Sequence, residues 1–477
     1  MTVQDLRLIA PELVLTIAAA LVLVRDAWIT GGSLEAEVPR RDAAWVSLAA
    51  VVLAFLWADR AGSLGAGFGG LYVRDELTRL VDLVALAAAG LGIMLSSAYV
   101  ARVRLPAGEY YALLLLSTVG AMTIAASGSL ITLFLGLEML SFPLYVMSAL
   151  ARRSRRSQEA GLKYLLLGAF ATAFFIYGVA LIFGATGSFE LRRIAAEPRS
   201  PLLGTGIALL TIGLAFEAAL VPFHAWAPDV YEGAPLPVTA FMSVGAKIGA
   251  FAGFVRVFPF ALPALAGQWI PILTALAIVT MVLGNLAALW QTNIKRLLAY
   301  SGIAHAGYLL IGVAAGPDGV WSVLFYLLVY AAMNLGAFAV LLLLERAGAE
   351  ADRLEDLAGL VGRAPWAAAA LSLFMIALAG LPPTAGFIAK LYVFEAGLAA
   401  HLTALVLVGV LTSVVSVYYY LRVAYVALSG ESPTAVTVAR DRFVAAALVL
   451  ATAGVLWLGL FPAAFTSAAQ QAAAMLK

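Results

Sequence analysis

Apolar runs of eighteen or more residues recur along this chain from one end to the other, separated by short polar gaps. A run of that length matches the hydrocarbon thickness of a bilayer and exceeds what a soluble core asks of a helix. The composition agrees: 63% of the 477 residues are hydrophobic and only 12% are charged, against about 25% charged in a soluble domain. Mean hydropathy is +0.99. The pattern implies an all-α integral membrane protein and leaves no room for a soluble domain. Net charge is +2, and nothing points to nucleic acid. With no cysteine, the chain offers no disulfide, thiolate metal site or iron–sulphur ligand. The opening MTVQDLRLIAPELVL lacks the basic n-region of a signal peptide.

About fourteen transmembrane helices are expected. They fall near residues 6–26, 43–58, 76–98, 109–127, 129–150, 157–184, 202–221, 235–259, 268–290, 293–315, 320–345, 365–399 with a break near 380, 402–428 and 442–464. The Gly-rich stretch 61–70 reads as a loop or hairpin. Span 7 breaks in LAFEAALVPFHAWAPDVYEGAP, at Val221–Pro222. Span 12 breaks at Gly380-Leu381-Pro382-Pro383-Thr384. In a bilayer, non-helical backbone is tolerated only where protein covers it or a water-filled cavity receives it. Each broken span is the fourth of a five-span block, spans 4–8 and spans 9–13. Five is odd, so the second block must be inverted relative to the first, as in secondary-transporter architectures. The expected divisions are 1–108 (spans 1–3), 109–260 (first repeat), 261–430 (second, inverted repeat) and 431–477 (the last span).

Arginine and lysine are distributed unevenly. Loops after odd-numbered spans carry Arg40/Arg41, Arg102/Arg104, Arg152/Arg153/Arg155/Arg156, Lys295/Arg296, Arg346/Arg353/Arg363 and Arg440/Arg442. Loops after even-numbered spans carry mainly Arg60/Arg74 and Arg192/Arg193/Arg199. The positive-inside rule then puts the odd loops in the cytoplasm and both termini on the periplasmic side of a bacterial inner membrane. The five lysines are 163, 247, 295, 390 and 477; three of them, Lys163, Lys247 and Lys390, fall well inside expected spans, and Lys295 lies at the start of one. Buried lysine can give up its proton, whereas arginine cannot. Lysine inside and arginine outside therefore suggests that the interior needs a cation that titrates.

Glu138 lies nine residues after Ser129, about 14 Å at 1.5 Å per residue, near the middle of span 5. Lys247 is central in span 8, Lys390 follows the second break, and Glu217 lies one turn before the first. A lone charge at such depth costs at least about 2.5–3.5 kcal/mol, so these residues are functional candidates. Lys163 is shallower, near the four-arginine loop, and long enough to snorkel to the interface. His224 at the first break and His305 in span 10 are relay candidates. Lys295 reads as a positive-inside anchor, and Glu12 as a local packing or interface group.

The strings GLEMLSFPLYV, GLKYLLLGAF, LVPFHAWAPDVYEGAP, QTNIKRLLAYSGIAHAGY and GLPPTAGFIAKLYVF resemble the antiporter-like proton-channel subunits of respiratory complex I, NADH:quinone oxidoreductase. The resemblance runs across about spans 4–13, and DVYEGAP looks most like the subunit N (chain 2) type. It implies a membrane-arm subunit that moves protons through buried Glu, Lys and His, driven by quinone reduction elsewhere. The enzyme would be the whole translocase, with NADH, FMN, iron–sulphur clusters and quinone on partner subunits and no cofactor or metal in this chain. Its partners would be antiporter-like neighbours of the membrane arm, the lipid bilayer and no nucleic acid. The resemblance matches Glu138, Lys163, Lys247 and Lys390 to family positions. Glu217 departs from it, standing where the family usually has lysine, so Lys163 or Lys247 is left to neutralise Glu138. The alternatives are a subunit of a multi-subunit sodium/proton antiporter, and a passive membrane scaffold.

Overall fold

The computed structural model describes residues 2–30, 41–59, 64–196, 200–346, 349–430 and 436–474. Arg40, Arg60, Arg199 and Lys477 lie outside the described residues. The chain opens with α1 (Val3–Leu8), α2 (Ala10–Thr30) and α3 (Asp42–Asp59), then a hairpin of β1 (Gly65–Gly67) and β2 (Tyr72–Arg74), then α4 (Glu76–Val103). The first block is α5 (Ala107–Ala125), α6 (Leu130–Ser148), α7 (Arg155–Thr186), short α8 (Leu191–Ala195), the broken pair α9 (Pro201–Glu217) and α10 (Trp226–Gly233), and α11 (Leu236–Val255). The second is α12 (Ala266–Leu289), α13 (Ile294–Ala314), α14 (Val320–Leu343), strands β3 (Leu344–Arg346) and β4 (Ala349–Glu350), short α15 (Leu360–Arg363), the broken pair α16 (Pro365–Ala379) and α17 (Ala385–Ala399), and α18 (Thr403–Leu428). Strand β5 (Val436–Val438), α19 (Arg442–Leu460) and α20 (Ala463–Ala474) complete it.

Eleven of the described helices are long and apolar enough to cross a membrane by length and composition. Two shorter apolar helices, α9 and α16, are the first halves of the two broken passages. At the expected first span, α2 is long enough but carries Glu12, Arg25 and Asp26. The helix starts follow local chemistry. Ser129, Ser154, Ser200, Asn293 and Asp441 each accept a first-turn amide, satisfying groups that a helix leaves unpaired.

Packing repeats between the blocks. The first helix of each, α5 or α12, lies along the second and against the fifth; the third, α7 or α14, lies along both halves of the broken fourth. Close approach of the first two helices needs missing side chains. A Cβ on Gly120 would sit 2.2 Å from the Leu140 amide nitrogen, and one on Gly284 would sit 2.8 Å from that of Ala304. The arginine-bearing loops gather at one face. There Arg102 pairs with Glu345, Arg156 lies 4.0 Å from Asp352, and Arg363 donates to the Val436 carbonyl at 2.7 Å. A three-stranded sheet, ordered β4-β3-β5, covers the same face. The glycine-rich hairpin lies at the opposite face, bridged from Tyr72 to Ser127. The α9/α10 passage runs toward the arginine-rich face and the α16/α17 passage runs away from it, so the blocks are inverted as their odd helix number requires.

Lys295 is not a surface anchor. It is fully buried, donates to the Ala234 carbonyl at 2.7 Å and pairs with Glu350 at 2.8 Å. Glu350 also accepts from the Tyr99 hydroxyl and from the Leu236 amide, joining the ends of α4, α11 and α13. Burial pushes the Glu350 carboxyl up, but the Lys295 charge and these hydrogen bonds outweigh it and hold the group below the ordinary glutamate value. A carboxyl depressed in the fold stabilises above its unfolded value and loses that contribution as pH falls through its folded value. The thermal stability of the solubilised protein is therefore expected to fall below about pH 4.3. Glu350→Gln should flatten that acid limb and cost about 3 kcal/mol at neutral pH by stranding a buried cation. An unchanged melting profile in the variant would refute the assignment.

Candidate functional site

The two helix breaks expose backbone groups inside the protein, and side chains reclaim them. At the first, the Trp226 indole donates to the Phe216 carbonyl at 2.9 Å, and the Val221 amide donates to Thr280 Oγ1 of the second block at 3.0 Å. At the second, Lys390 Nζ donates to the Ala379 carbonyl at 2.8 Å and to Ser413 Oγ at 2.7 Å. Gly380 makes this possible. Its φ is +79°, a left-handed conformation that favours glycine, and a Cβ there would lie 2.7 Å from Lys390 Cδ. Lys390 thus sits on the negative end of a half-helix, buried.

Glu138 and Glu217 line one small cavity with Ser141, Thr172, Phe134, Phe175 and Phe216. The cavity volume is ≈ 20 Å³, enough for about one water, which needs roughly 10–15 Å³. Thr172 donates to Glu138 Oε1 at 2.7 Å, and Ser141 donates to Glu217 Oε2 at 2.7 Å. Glu217 is 3% exposed, and its Oε1 has no hydrogen-bond partner. Glu138 is half-buried, toward a face of α6 and α7 that exposes Leu135, Phe142, Leu166 and Phe170. Two carboxyls bordering a space for one water can exchange a proton through a water that enters it.

Lys247 is buried on α11, whose every residue is enclosed. Its Nζ lies 6.0 Å from the centre of the Tyr330 ring. Gly302 on α13 leaves room for it, since a Cβ there would stand 3.4 Å from Nζ. The Tyr330 ring is 5.1 Å from the His305 ring. On the other side of His305, Tyr308 lies 5.8 Å away, and Lys390 Nζ is 5.0 Å from the Tyr308 ring centre. His305 therefore stands between the two lysines. Its Nδ1 is hydrogen-bonded to Tyr326 at 2.8 Å and its Nε2 to Tyr420 at 3.0 Å; Tyr420 shares a further hydrogen bond with Ser301 at 2.5 Å.

Two candidates stand apart from this row. Lys163 is 41% exposed and pairs with Glu159 and Asp229, each at 2.7 Å; Asp229 also takes Arg296 at 2.7 Å. It ties α7 to α10 near the arginine-rich face and makes no contact with Glu138. His224 is half-buried in the first break, its Nδ1 without a partner. Sequence reasoning passes over the hydroxyls: Ser141, Thr172, Ser413 and the tyrosine cage. A signal is present in Ser322, Tyr326, Tyr330 and Asn334, which repeat every four residues on one face of an otherwise apolar helix. Among the described residues, no cluster of three or more His, Asp or Glu could hold a metal.

Residues 127–416 match the family described as NADH:quinone oxidoreductase/Mrp antiporter, transmembrane. The chain is also 42% identical over 483 residues to NADH-quinone oxidoreductase subunit N of Trichlorobacter lovleyi, covering 99% of this chain and 98% of that relative. The chain belongs to this NADH:quinone oxidoreductase/Mrp antiporter family. A chain of respiratory complex I from Thermus thermophilus with bound aureothin superposes with a TM-score of 0.83 at 34% identity, covering 96% of this chain and 98% of that one. A chain of the Mrp complex from Dietzia sp. DQ12-45-1b, 24% identical, shares the fold at a TM-score of 0.82 over 100% and 98% of the two chains. The matched segment of this family member contains Glu138, Lys163, Glu217, His224, Lys247, His305 and Lys390.

Proposed function

We propose that this chain is a proton-translocating membrane-arm subunit of NADH:quinone oxidoreductase. It carries protons through the row Glu138/Glu217, Lys247, His305 and Lys390, driven by quinone reduction on other subunits. The observation that supports it most is His305 standing between two buried lysines with both ring nitrogens hydrogen-bonded. Redox groups would reside on partner subunits: NADH, FMN, iron–sulphur clusters and quinone. Its neighbours would be other membrane-arm subunits in the lipid bilayer, and the exposed apolar face beside Glu138 suits one of them. Lys163 with Asp229 would stand at the mouth of the path on the arginine-rich face, and His224 would serve the first break. By the positive-inside rule that face is cytoplasmic, with both termini on the periplasmic side of a bacterial inner membrane.

In this scheme Lys247 is the central store and Glu138 tunes it. A unit charge at about 7 Å and an effective dielectric of 20 is worth about 2.4 kcal/mol, nearly two pKa units. Glu138→Gln and Glu217→Gln are each expected to slow proton movement, by up to about fifty-fold on that figure. Unchanged pumping in Glu217→Gln would remove it from the path. The reading as a whole is tested by gentle purification on a tag. Flavin and iron–sulphur absorption with inhibitor-sensitive NADH:quinone activity supports it. Colourless membrane partners and sodium-dependent pH changes in vesicles would replace it with a cation/proton antiporter.

A further inference from the structure

A second set of buried charges lies outside the central row, at the arginine-poor face. Glu12 of α2 is 6% exposed and Asp82 of α4 is 0% exposed. Arg74, at the end of β2 and 2% exposed, has its Nη1 3.2 Å from Asp82 Oδ2 and donates to the Leu8 carbonyl at 3.2 Å. The Tyr72 hydroxyl donates to Glu12 Oε1. The other charged groups of this region are Asp75 and Arg256. They are already matched, since Arg256 donates twice to Asp75, at 2.6 and 2.7 Å.

Charge counting then leaves a remainder. Glu12 and Asp82 lie within electrostatic reach of each other and of one guanidinium, that of Arg74, which contacts Asp82. Both Asp82 oxygens, Glu12 Oε2 and Arg74 Nη2 lack hydrogen-bond partners. An ionised carboxylate without its own countercharge in such a place is strongly disfavoured, and the simplest neutralising ligand is a proton. Two carboxyls near one charge cannot readily both ionise. We propose that Glu12, Arg74 and Asp82 form a proton-holding site in which the two carboxyls share one exchangeable proton. Arg256 lies nine residues beyond Lys247 on the same continuous helical segment, about 14 Å nearer this face. The site is thus separate from the central row, and the proposal does not rest on that row's function.

Infrared difference spectroscopy of the intact membrane complex tests it, in H₂O and D₂O. One protonated-carboxyl C=O band should shift on deuteration. It should be lost in Glu12→Gln and equally in Asp82→Asn, because the carboxyl left in either variant has Arg74 to itself and ionises. Glu217→Gln should leave that band in place. Absence of any band common to the two variants means both groups are ionised in a structural ion cluster, and overturns the proposal. A band lost in Asp82→Asn but kept in Glu12→Gln means a carboxyl protonated by burial alone, and also overturns it. A band that does not shift in D₂O means a locked proton and overturns it too. The deuterium shift is read on the unmodified protein, so it stands even where a variant assembles poorly.

Discussion

Lys247→Arg is expected to end proton translocation through this chain as completely as Lys247→Ala does. Arginine keeps the positive charge and the long stem, but its guanidinium does not release a proton inside a protein. If Lys247 served only as a fixed countercharge to the interior carboxyls, arginine would substitute for it. If it loads and unloads a proton, arginine jams the cycle in its charged state. The site is also shaped for an ammonium: a Cβ on Gly302 would be only 3.4 Å from Nζ, and the Tyr330 hydroxyl lies 2.9 Å from the same point. A planar guanidinium, larger than an ammonium, would crowd that corner beside the Gly302 backbone. The measurement is the proton-to-electron ratio of the complex in proteoliposomes, with insertion of the variant verified by its presence in the purified assembly. Loss of at least about ten-fold in pumping rate, a barrier rise of about 1.4 kcal/mol, is expected for both variants. A normal ratio in Lys247→Arg would show that no transferred proton ever rests there.

The depth of Lys247, Glu138 and Lys390 is legible in the sequence because helix rise converts residue count into distance. The breaks are legible because Pro-Phe-His and Leu-Pro-Pro interrupt runs that a bilayer requires to be continuous. What occupies the space beside a helix is not legible, since periodicity along one helix does not name its neighbour. Lys163 illustrates the point. By position it suits the path, but its ammonium turns to Glu159 and Asp229, the latter 66 residues away. Lys295 errs in the other direction. It sits in a basic loop, yet Glu350 and the Ala234 carbonyl enclose it. Glu12 reads as a packing group in the sequence because its companions, Arg74 and Asp82, are about 60 to 70 residues away and meet it only when the hairpin folds back. The tyrosine cage escapes a hydropathy reading because tyrosine counts there as apolar, while its hydroxyl matters only once a partner is known.

His305→Phe is expected to break transfer between Lys247 and Lys390 while leaving the cage filled. A neutral imidazole donates from one ring nitrogen and accepts at the other. His305 has a tyrosine hydroxyl on each, Tyr326 at 2.8 Å and Tyr420 at 3.0 Å. A proton arriving at one nitrogen can therefore leave from the other, which exchanges the tautomer; the ring returns to its first tautomer by a half-turn that breaks and remakes both hydrogen bonds. Phenylalanine keeps the ring's packing against Tyr308 and Tyr330 and removes both nitrogens. Tyr420 retains Ser301 as a partner, whereas Tyr326 loses its hydrogen bond to the ring, at a cost of about 1–3 kcal/mol in stability. Loss of a positioned acid–base group typically slows a proton transfer by about a hundred-fold or more. Tyr326→Phe separates the two effects. It removes the hydroxyl on Nδ1 but keeps the imidazole, whose freed nitrogen a water can still serve, so its pumping should lie above that of His305→Phe. The readout is the rate of proton release from proteoliposomes, followed with an external pH dye during NADH oxidation. Equal rates for His305→Phe and the unmodified complex would send the proton around the cage, through water between Lys247 and Lys390, and leave the imidazole a packing residue.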